Sequence, residues 1–256
     1  MVNAMVRGIE GFRNWFAEYS NQFTIIGGTA CDLLMSENGL EFRATKDLDI
    51  VLIVEGLTPD FGHRFWKYIQ AGGYEHRNRS TGAPQFYRFT NPKSKEYPYM
   101  LELFSRRGHS IRLPEDAMFT PLPLDDELSS LSAILLDEDY YQFLLEGRIL
   151  VKEIPVLSVK HLIPFKAKAW LDLTKRRNRG EQVDGKNIRK HKNDVFRLSV
   201  LLTPETNVVL PEAIRKDMEE FFTAMEFEET DLKSLEIRNQ TKEDAIIRLK
   251  NIYGLS

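Results

Sequence analysis

Cysteine is almost absent from this sequence of 256 residues: only Cys31 is present, so no disulfide can form within the chain. The sequence also has no run of 18 apolar residues and no signal-peptide pattern. Its formal net charge of -3 gives no general attraction to nucleic acid or to an anionic membrane. Together these absences predict a cytoplasmic protein that does not enter a membrane.

Several common catalytic motifs are missing as well. The five histidines are scattered, and no H-E-x-x-H or C-x-x-C pattern points to zinc. The G-x-S-x-G pattern of serine hydrolases and the G-x-x-x-x-G-K-[ST] pattern of P-loop enzymes are absent too. The chemistry of this chain must therefore be sought in less specific patterns.

The arrangement of apolar segments changes along the chain. Up to residue 157, short apolar runs separated by turn residues predict strands and helices, whereas the pattern is helical from residue 158 onward. We therefore predict an α+β fold, in which a mixed β-sheet with flanking helices (1–157) is followed by an all-helical C-terminal domain (158–256). The sequence predicts a loop at 114–127, followed over 130–157 by a mixed pattern with short strands near 133–136, 148–151 and 155–157.

A glycine pair follows the first apolar run. Residues 23–26 predict a buried strand, and Gly27-Gly28-Thr29 then turns the chain into a helix. Backbone N–H groups and the helix dipole favour an anion at such a helix start, and the Thr29 hydroxyl can cap the helix or donate to a phosphate. Taken alone, the pair is also typical of a tight turn without a ligand.

Carboxylates interrupt two predicted strands. Asp47 and Asp49 are two residues apart in a strand, so both side chains point to one face, where they can bind one or two Mg²⁺ ions. Glu102 interrupts the apolar run 100–104, and a neighbouring strand could bring it beside the two aspartates. The alternatives are a solvated strand end for the aspartates and an outward-facing position for Glu102.

The helical part contributes two further candidates. Lys166 lies on an apolar helical stripe, where a lysine either extends its ammonium group to solvent or enters a cleft. Asp194 lies one turn before Leu198 and is predicted to face inward. The interval from Lys166 to Asp194 holds ten Lys or Arg residues and four acids, a basic segment that could bind RNA or be an ordinary solvated surface.

These motifs, taken in order, resemble the nucleotidyltransferase superfamily that includes DNA polymerase beta. The resemblance is in Gly27-Gly28-Thr29-Ala30 and in the run Arg43-x-Thr45-Lys46-Asp47-Leu48-Asp49-Ile50. The Gly-Gly-Thr-Ala form is closer to the AbiEii-like toxin branch, and the segments 156–169 and 190–198 are similar to that branch too. The resemblance spans roughly residues 23–200 through short motifs. The sequence differs from the family pattern in a longer gap before Asp47, in a glycine where many members have serine, and in a Glu as the third acid.

The resemblance implies Mg²⁺- or Mn²⁺-dependent transfer of a nucleoside monophosphate from NTP to a hydroxyl acceptor, such as RNA or tRNA, and an antitoxin protein as partner. Asp47, Asp49 and Glu102 would bind metal, and Glu102 would polarise or deprotonate the attacking hydroxyl. Gly27, Gly28 and Thr29 would hold phosphates, Lys166 would neutralise the triphosphate, and Asp194 would support the site. The competing hypotheses are an inactive nucleotide- or RNA-binding module of the same fold and a small-molecule nucleotidyltransferase of the aminoglycoside type.

Overall fold

The computed structural model describes residues 6–75, 86–105, 134–135, 137–238 and 240–255. These residues form two compact units. The first holds the described residues up to 105 together with Arg148–Leu157, and the second holds those from 134 to 147 together with the chain from Ser158 onward. The predicted loop at 114–127 lies outside the described residues, and so do positions 133 and 136 of the strand predicted at 133–136, whose two described residues are helical.

A six-stranded mixed sheet forms the centre of the first unit, in the order β3-β4-β2-β1-β6-β5. β2 runs parallel to β4 and β1 parallel to β6, whereas β1 and β2, β3 and β4, and β5 and β6 pair antiparallel. The strands are β1 (Phe23–Ile26), β2 (Asp47–Leu52), β3 (Phe86–Thr90), β4 (Met100–Phe104), β5 (Arg148–Val151) and β6 (Ile154–Leu157).

Helices precede and interrupt this sheet, and the remaining helices form the second unit. Those of the first unit are α1 (Ile9–Phe16), α2 (Gly27–Glu37) and α3 (Pro59–Gly72). Those of the second unit are α4 (Glu138–Glu146), α5 (Val159–Asn178), α6 (Gly185–Ser199), α7 (Glu212–Phe227) and α8 (Lys242–Ile252).

One face of the sheet is apolar and carries the core of the first unit. Alternation along the strands places Phe23 of β1, Ile50 of β2 and Phe89 of β3 on this face. Phe12 of α1 stacks edge-on against Phe23, and Phe65 of α3 packs on Phe89, both with ring centroids 5.6 Å apart. α1 and α3 cover this face. The polar residues of β2 and β4 alternate with the apolar ones along each strand and therefore lie on the opposite face.

α5 continues without a break through Pro164, although a proline inside a helix typically kinks or ends it. A proline at this position cannot donate a hydrogen bond to the carbonyl oxygen of Lys160, four residues earlier. The buried Tyr253 hydroxyl donates to that oxygen at 2.9 Å. The Tyr253 side chain thus replaces the backbone donor that Pro164 lacks. No local sequence pattern reveals this contact.

The predicted class is confirmed: a mixed sheet with flanking helices is combined with a unit whose described regular elements are all helices. Between residues 130 and 147, where the sequence gives a mixed pattern, the structure contains the helix α4, which the sequence did not predict. Asp137 caps this helix by accepting from the Tyr140 backbone N–H. The aromatic residues of α4 favour strands by propensity, but their burial against α5 and α7 decides the structure. The division at 157/158 stays a prediction, with α4 placed in the helical unit.

Candidate functional site

A row of paired residues crosses four strands on the polar face of the sheet. Ile26 of β1 pairs with Asp49 of β2, Asp49 with Glu102 of β4, and Glu102 with Arg88 of β3. Asp47 precedes Asp49 by two residues and shares its face. The structure therefore brings Asp47, Asp49 and Glu102 together at the edge where β1 ends and where β2 and β4 begin.

Gly27, the first residue of α2, packs directly against Asp49. Its φ is +68°, and a Cβ atom built there would collide with the Asp49 carboxylate, falling 2.7 Å from Cγ. Both the left-handed backbone and the close approach require glycine. The Asp49 carboxylate thus lies at the N-terminus of α2, where the helix dipole favours negative charge.

Gly28 is equally restricted by its surroundings. A Cβ atom there would lie 2.5 Å from Thr45 Oγ1 and 3.6 Å from Arg43 Nη2. Arg43 therefore places a guanidinium group beside the start of α2, next to the two glycines. Arg43 stands four residues before Asp47 in the motif, and its position in the sequence alone indicates no role for it.

Thr29 is fully buried and has a structural contact. Its hydroxyl donates to the backbone carbonyl of Asp47 at 2.6 Å, so the hydroxyl proton is engaged between α2 and the first residue of β2. The side chain neither caps α2, which has no side-chain cap hydrogen bond, nor is placed to donate to a ligand. Its contribution to the site is to hold Asp47 in position.

Glu102 is buried and lies between a carboxylate and a guanidinium. Arg88 Nε donates to Glu102 Oε1 at 2.7 Å, and Arg88 Nη2 approaches the same oxygen at 2.6 Å. Burial and the neighbouring Asp49 carboxylate raise the pKa of Glu102 to about 9, while the Arg88 guanidinium acts in the opposite direction. The Asp49 carboxylate is therefore close enough to Glu102 to disfavour its ionised form.

The donor chemistry fits a divalent cation bound by two aspartates. Oxygen ligands suit Mg²⁺, which is commonly held by one or two carboxylates and completed by water and substrate phosphates. Within the described parts of the chain, no group of three or more His, Cys, Asp or Glu side chains is arranged to hold a metal ion. The pair Asp47 and Asp49 meets the requirement by itself, and Glu102 is engaged with Arg88. Metal binding by all three acids stays a prediction.

Lys166 and Asp194 form a buried ion pair inside the second unit. Lys166 Nζ donates to Asp194 Oδ2 at 3.0 Å, with side-chain exposures of 5% and 0%, and Arg197 Nη1 lies 3.9 Å from the other carboxylate oxygen. Both side chains face inward, as the helical stripe predicts, and they contact each other. Their assignment to the triphosphate stays a prediction.

The basic segment between these two residues is largely neutralised by acids. At least five of its ten cationic residues are ion-paired with Asp or Glu. These five are Lys166, Lys168, Lys175, Arg176 and Lys192. The segment therefore resembles an ordinary charged helical surface more than a continuous basic patch for RNA.

Arg88 is the clearest residue that sequence reasoning missed. It interrupts the apolar strand 86–90 with a charge, just as Glu102 interrupts 100–104. Turn residues at 91–96 join these two apolar runs and favour a hairpin, so a charged residue on each strand could have indicated a cross-strand ion pair.

Comparisons with known proteins add a likeness of overall structure. No known family model matches the sequence, and curated proteins give no match. No helix in the described residues is long and apolar enough to cross a membrane. Among solved structures, the chain is similar to an antigenic nucleotidyltransferase-like protein from Paracoccidioides brasiliensis. The identity is 14% and the TM-score 0.46, over 96% of this chain and 94% of the other.

Proposed function

We propose that this protein is a divalent-metal-dependent nucleotidyltransferase, which transfers a nucleoside monophosphate from NTP to a hydroxyl acceptor. The observation that carries the proposal is the position of Asp49. Its carboxylate lies against Gly27 at the start of a helix and beside Glu102 on the neighbouring parallel strand. A phosphate-binding helix start and metal-binding carboxylates are the two parts that such a transfer needs, and they meet at this residue.

The residues of the proposed site would bind the cation and the triphosphate in different ways. Asp47 and Asp49 would hold the cation, which when bound neutralises phosphate charge and orients the triphosphate. The backbone N–H groups at the start of α2 would receive phosphate oxygens, because the two glycines let the chain approach closely. Arg43, beside Gly28, adds a positive charge at the same place.

The transfer itself is a substitution at phosphorus. The acceptor oxygen forms a bond to the α-phosphorus while the bond to the bridging oxygen breaks, and pyrophosphate leaves with that electron pair. The hydroxyl proton passes to a carboxylate, for which Glu102 is the candidate. Glu102 lies beside Asp49 in the parallel pair of β2 and β4, so its carboxyl group is close to the proposed cation.

The acceptor is assigned by experiment. The purified protein is incubated with Mg²⁺, each α-labelled NTP in turn and total RNA, and the same reaction is run without RNA. Labelled RNA that is lost with Asp49→Asn supports transfer to RNA. Label on another hydroxyl compound supports a small-molecule acceptor. Asp60→Asn, an exposed aspartate at the start of α3, is the matched control and should retain activity.

The Arg88–Glu102 contact favours one alternative, a nucleotide-binding module without transfer activity. If the ion pair keeps Glu102 from accepting a proton, the site can bind NTP and metal but lacks its base. Tight NTP binding without release of pyrophosphate would establish this alternative. A toxin role and an antitoxin partner rest on the sequence resemblance. They are tested by growth arrest on expression that Asp49→Asn relieves.

A further inference from the structure

Arg88 is the positive member of the row that crosses the sheet. It lies directly opposite Glu102 in the antiparallel pair of β3 and β4, so the two backbones hold the contact in register. Both guanidinium nitrogens approach one carboxylate oxygen at 2.6–2.7 Å, and the side chains are 18% and 7% exposed. Charge-assisted contacts of this length, away from water, are stronger than ordinary hydrogen bonds.

This contact changes what the site offers to a cation. A carboxylate whose charge is met by a guanidinium attracts a metal less, and the metal must break or weaken the ion pair to use it. In the described residues, Asp47, Asp49 and Glu102 do not form a three-ligand group. The proposed cation site then consists of Asp47 and Asp49, and two carboxylates hold Mg²⁺ well only when substrate phosphates complete the shell.

We propose that Arg88 withholds Glu102 from the metal, so that the cation binds firmly only together with the substrate's triphosphate. This inference rests on the proposed metal site at Asp47 and Asp49. It gives Arg88 a positioning role that acts through Glu102. It also makes metal loading depend on the nucleotide, so the free protein is a weak binder of divalent cations.

The opposite role for Arg88 is equally definite. Carboxylates that bind metals are commonly oriented by a second hydrogen-bonding partner, and loss of that partner weakens metal binding about 10- to 100-fold. If Arg88 orients Glu102 as a ligand, its removal weakens metal binding. If Arg88 withholds Glu102, its removal strengthens metal binding. The two roles therefore differ in the sign of one measured change.

The experiment is a titration with Mn²⁺ alone at one pH near neutral. Electron paramagnetic resonance measures the concentration of the free ion at each step. We expect Arg88→Gln to bind Mn²⁺ about 10-fold more tightly than the wild type, a change comparable to other effects of outer partners. Arg64→Gln is the matched control. Arg64 is half-buried in the same unit, where it donates to the Trp15 carbonyl and stacks on the Trp15 ring. Its removal should leave Mn²⁺ affinity unchanged.

The double variant Arg88→Gln/Glu102→Gln shows whether the change runs through Glu102. It removes both charges of the pair, so its Mn²⁺ affinity should return to the wild-type value. Unchanged or weaker binding by the single variant Arg88→Gln overturns the proposal. Tighter binding that persists in the double variant overturns it as well, since the gain would then not require the Glu102 carboxylate.

Failure of this inference is distinguishable from failure of the proposed function. Asp49→Asn tests the metal site, and it should abolish Mn²⁺ binding in both the wild-type and the Arg88→Gln background. If Asp49→Asn leaves Mn²⁺ binding intact, the proposed site is wrong, whatever Arg88 does. Should Arg88→Gln fail to fold, Arg88→Met keeps the aliphatic stem on the sheet and provides the same comparison.

Discussion

The hydroxyl of Thr29 donates to the backbone carbonyl of Asp47 at 2.6 Å, which ties the first turn of α2 to the first residue of β2. The glycine turn and the aspartate strand are 18 residues apart in the chain, and this buried bond joins them. The two halves of the proposed site are therefore held together by a residue that need not touch any substrate.

Replacing Thr29 by valine tests this link. Thr29→Val removes the hydrogen bond while keeping a branched side chain, and we expect a loss of about 1 kcal/mol in the free energy of unfolding. Urea denaturation measures it. Thr29→Ser keeps the hydroxyl and should retain the activity that Thr29→Val reduces. Equal activity of the two variants would mean that the bond does not position Asp47.

Alanine variants of Gly27 and Gly39 separate the cost of backbone strain from the cost of a steric collision. Both have a positive φ, +68° and +70°, but only at Gly27 would a Cβ atom strike Asp49, whereas nothing lies within 4 Å of one at Gly39. Alanine at either position should cost about 1–2 kcal/mol for the left-handed conformation. Gly27→Ala should in addition displace the Asp49 carboxylate and abolish nucleotide and metal binding.

Stability and metal-dependent nucleotide binding are measured for both variants. Gly39→Ala is expected to lose stability only. A Gly27→Ala protein that binds nucleotide as the wild type does would show that the close approach to Asp49 has no function.

Loss of the buried pair Lys166–Asp194 should lower the free energy of unfolding more than loss of an exposed pair. Asp194→Asn leaves the Lys166 ammonium buried without its counter-charge, which is expected to cost about 3–5 kcal/mol. The exposed pair Lys175–Glu220 is the control, and Glu220→Gln should cost less than about 1 kcal/mol. Chemical denaturation measures the free energy of unfolding of both variants. Similar losses in the two variants would contradict the burial of the Lys166–Asp194 pair.

His161 makes the stability depend on pH. Burial first, and then the charge of Lys160, lower the pKa of His161 from 6.5 to about 4. The unfolded chain binds the proton more readily, so stability is complete above pH 6.5 and falls as the pH drops toward 4. Each pKa unit of difference contributes about 1.4 kcal/mol.

Urea midpoints measured from about pH 7.5 down to about pH 5 test this dependence on the imidazole. His161→Gln should flatten the part of the profile that lies in this window. A profile of the same slope in this variant would assign the pH dependence to other groups.

Local patterns predicted most of the fold. In the sequence, Thr58 suits an N-cap, Pro59 suits the first helical position and Gly73 suits a helix end, and α3 has these limits. The strand predicted at 23–26 has the same limits as β1. These features depend on neighbours in sequence, which a single sequence displays.

What the sequence did not reveal depends on contacts between distant segments. α4 was missed because its burial against other helices outweighs the strand propensity of its aromatic residues. The aspartate pair was recognisable from its spacing, and the register of β2 and β4 then places Glu102 beside Asp49. The role of Thr29 and the ion pair of Arg88 follow only from which side chains the sheet brings together.

The most direct test of the central claim is the release of pyrophosphate from α-labelled NTP, measured together with the label gained by an acceptor. The wild-type protein should release one pyrophosphate for each label transferred, only with Mg²⁺ or Mn²⁺ present. Asp49→Asn should do neither, and Asp60→Asn should match the wild type. Transfer that persists in Asp49→Asn, or NTP binding with no pyrophosphate released under any acceptor condition, would contradict the assignment of this site as a nucleotidyltransferase centre.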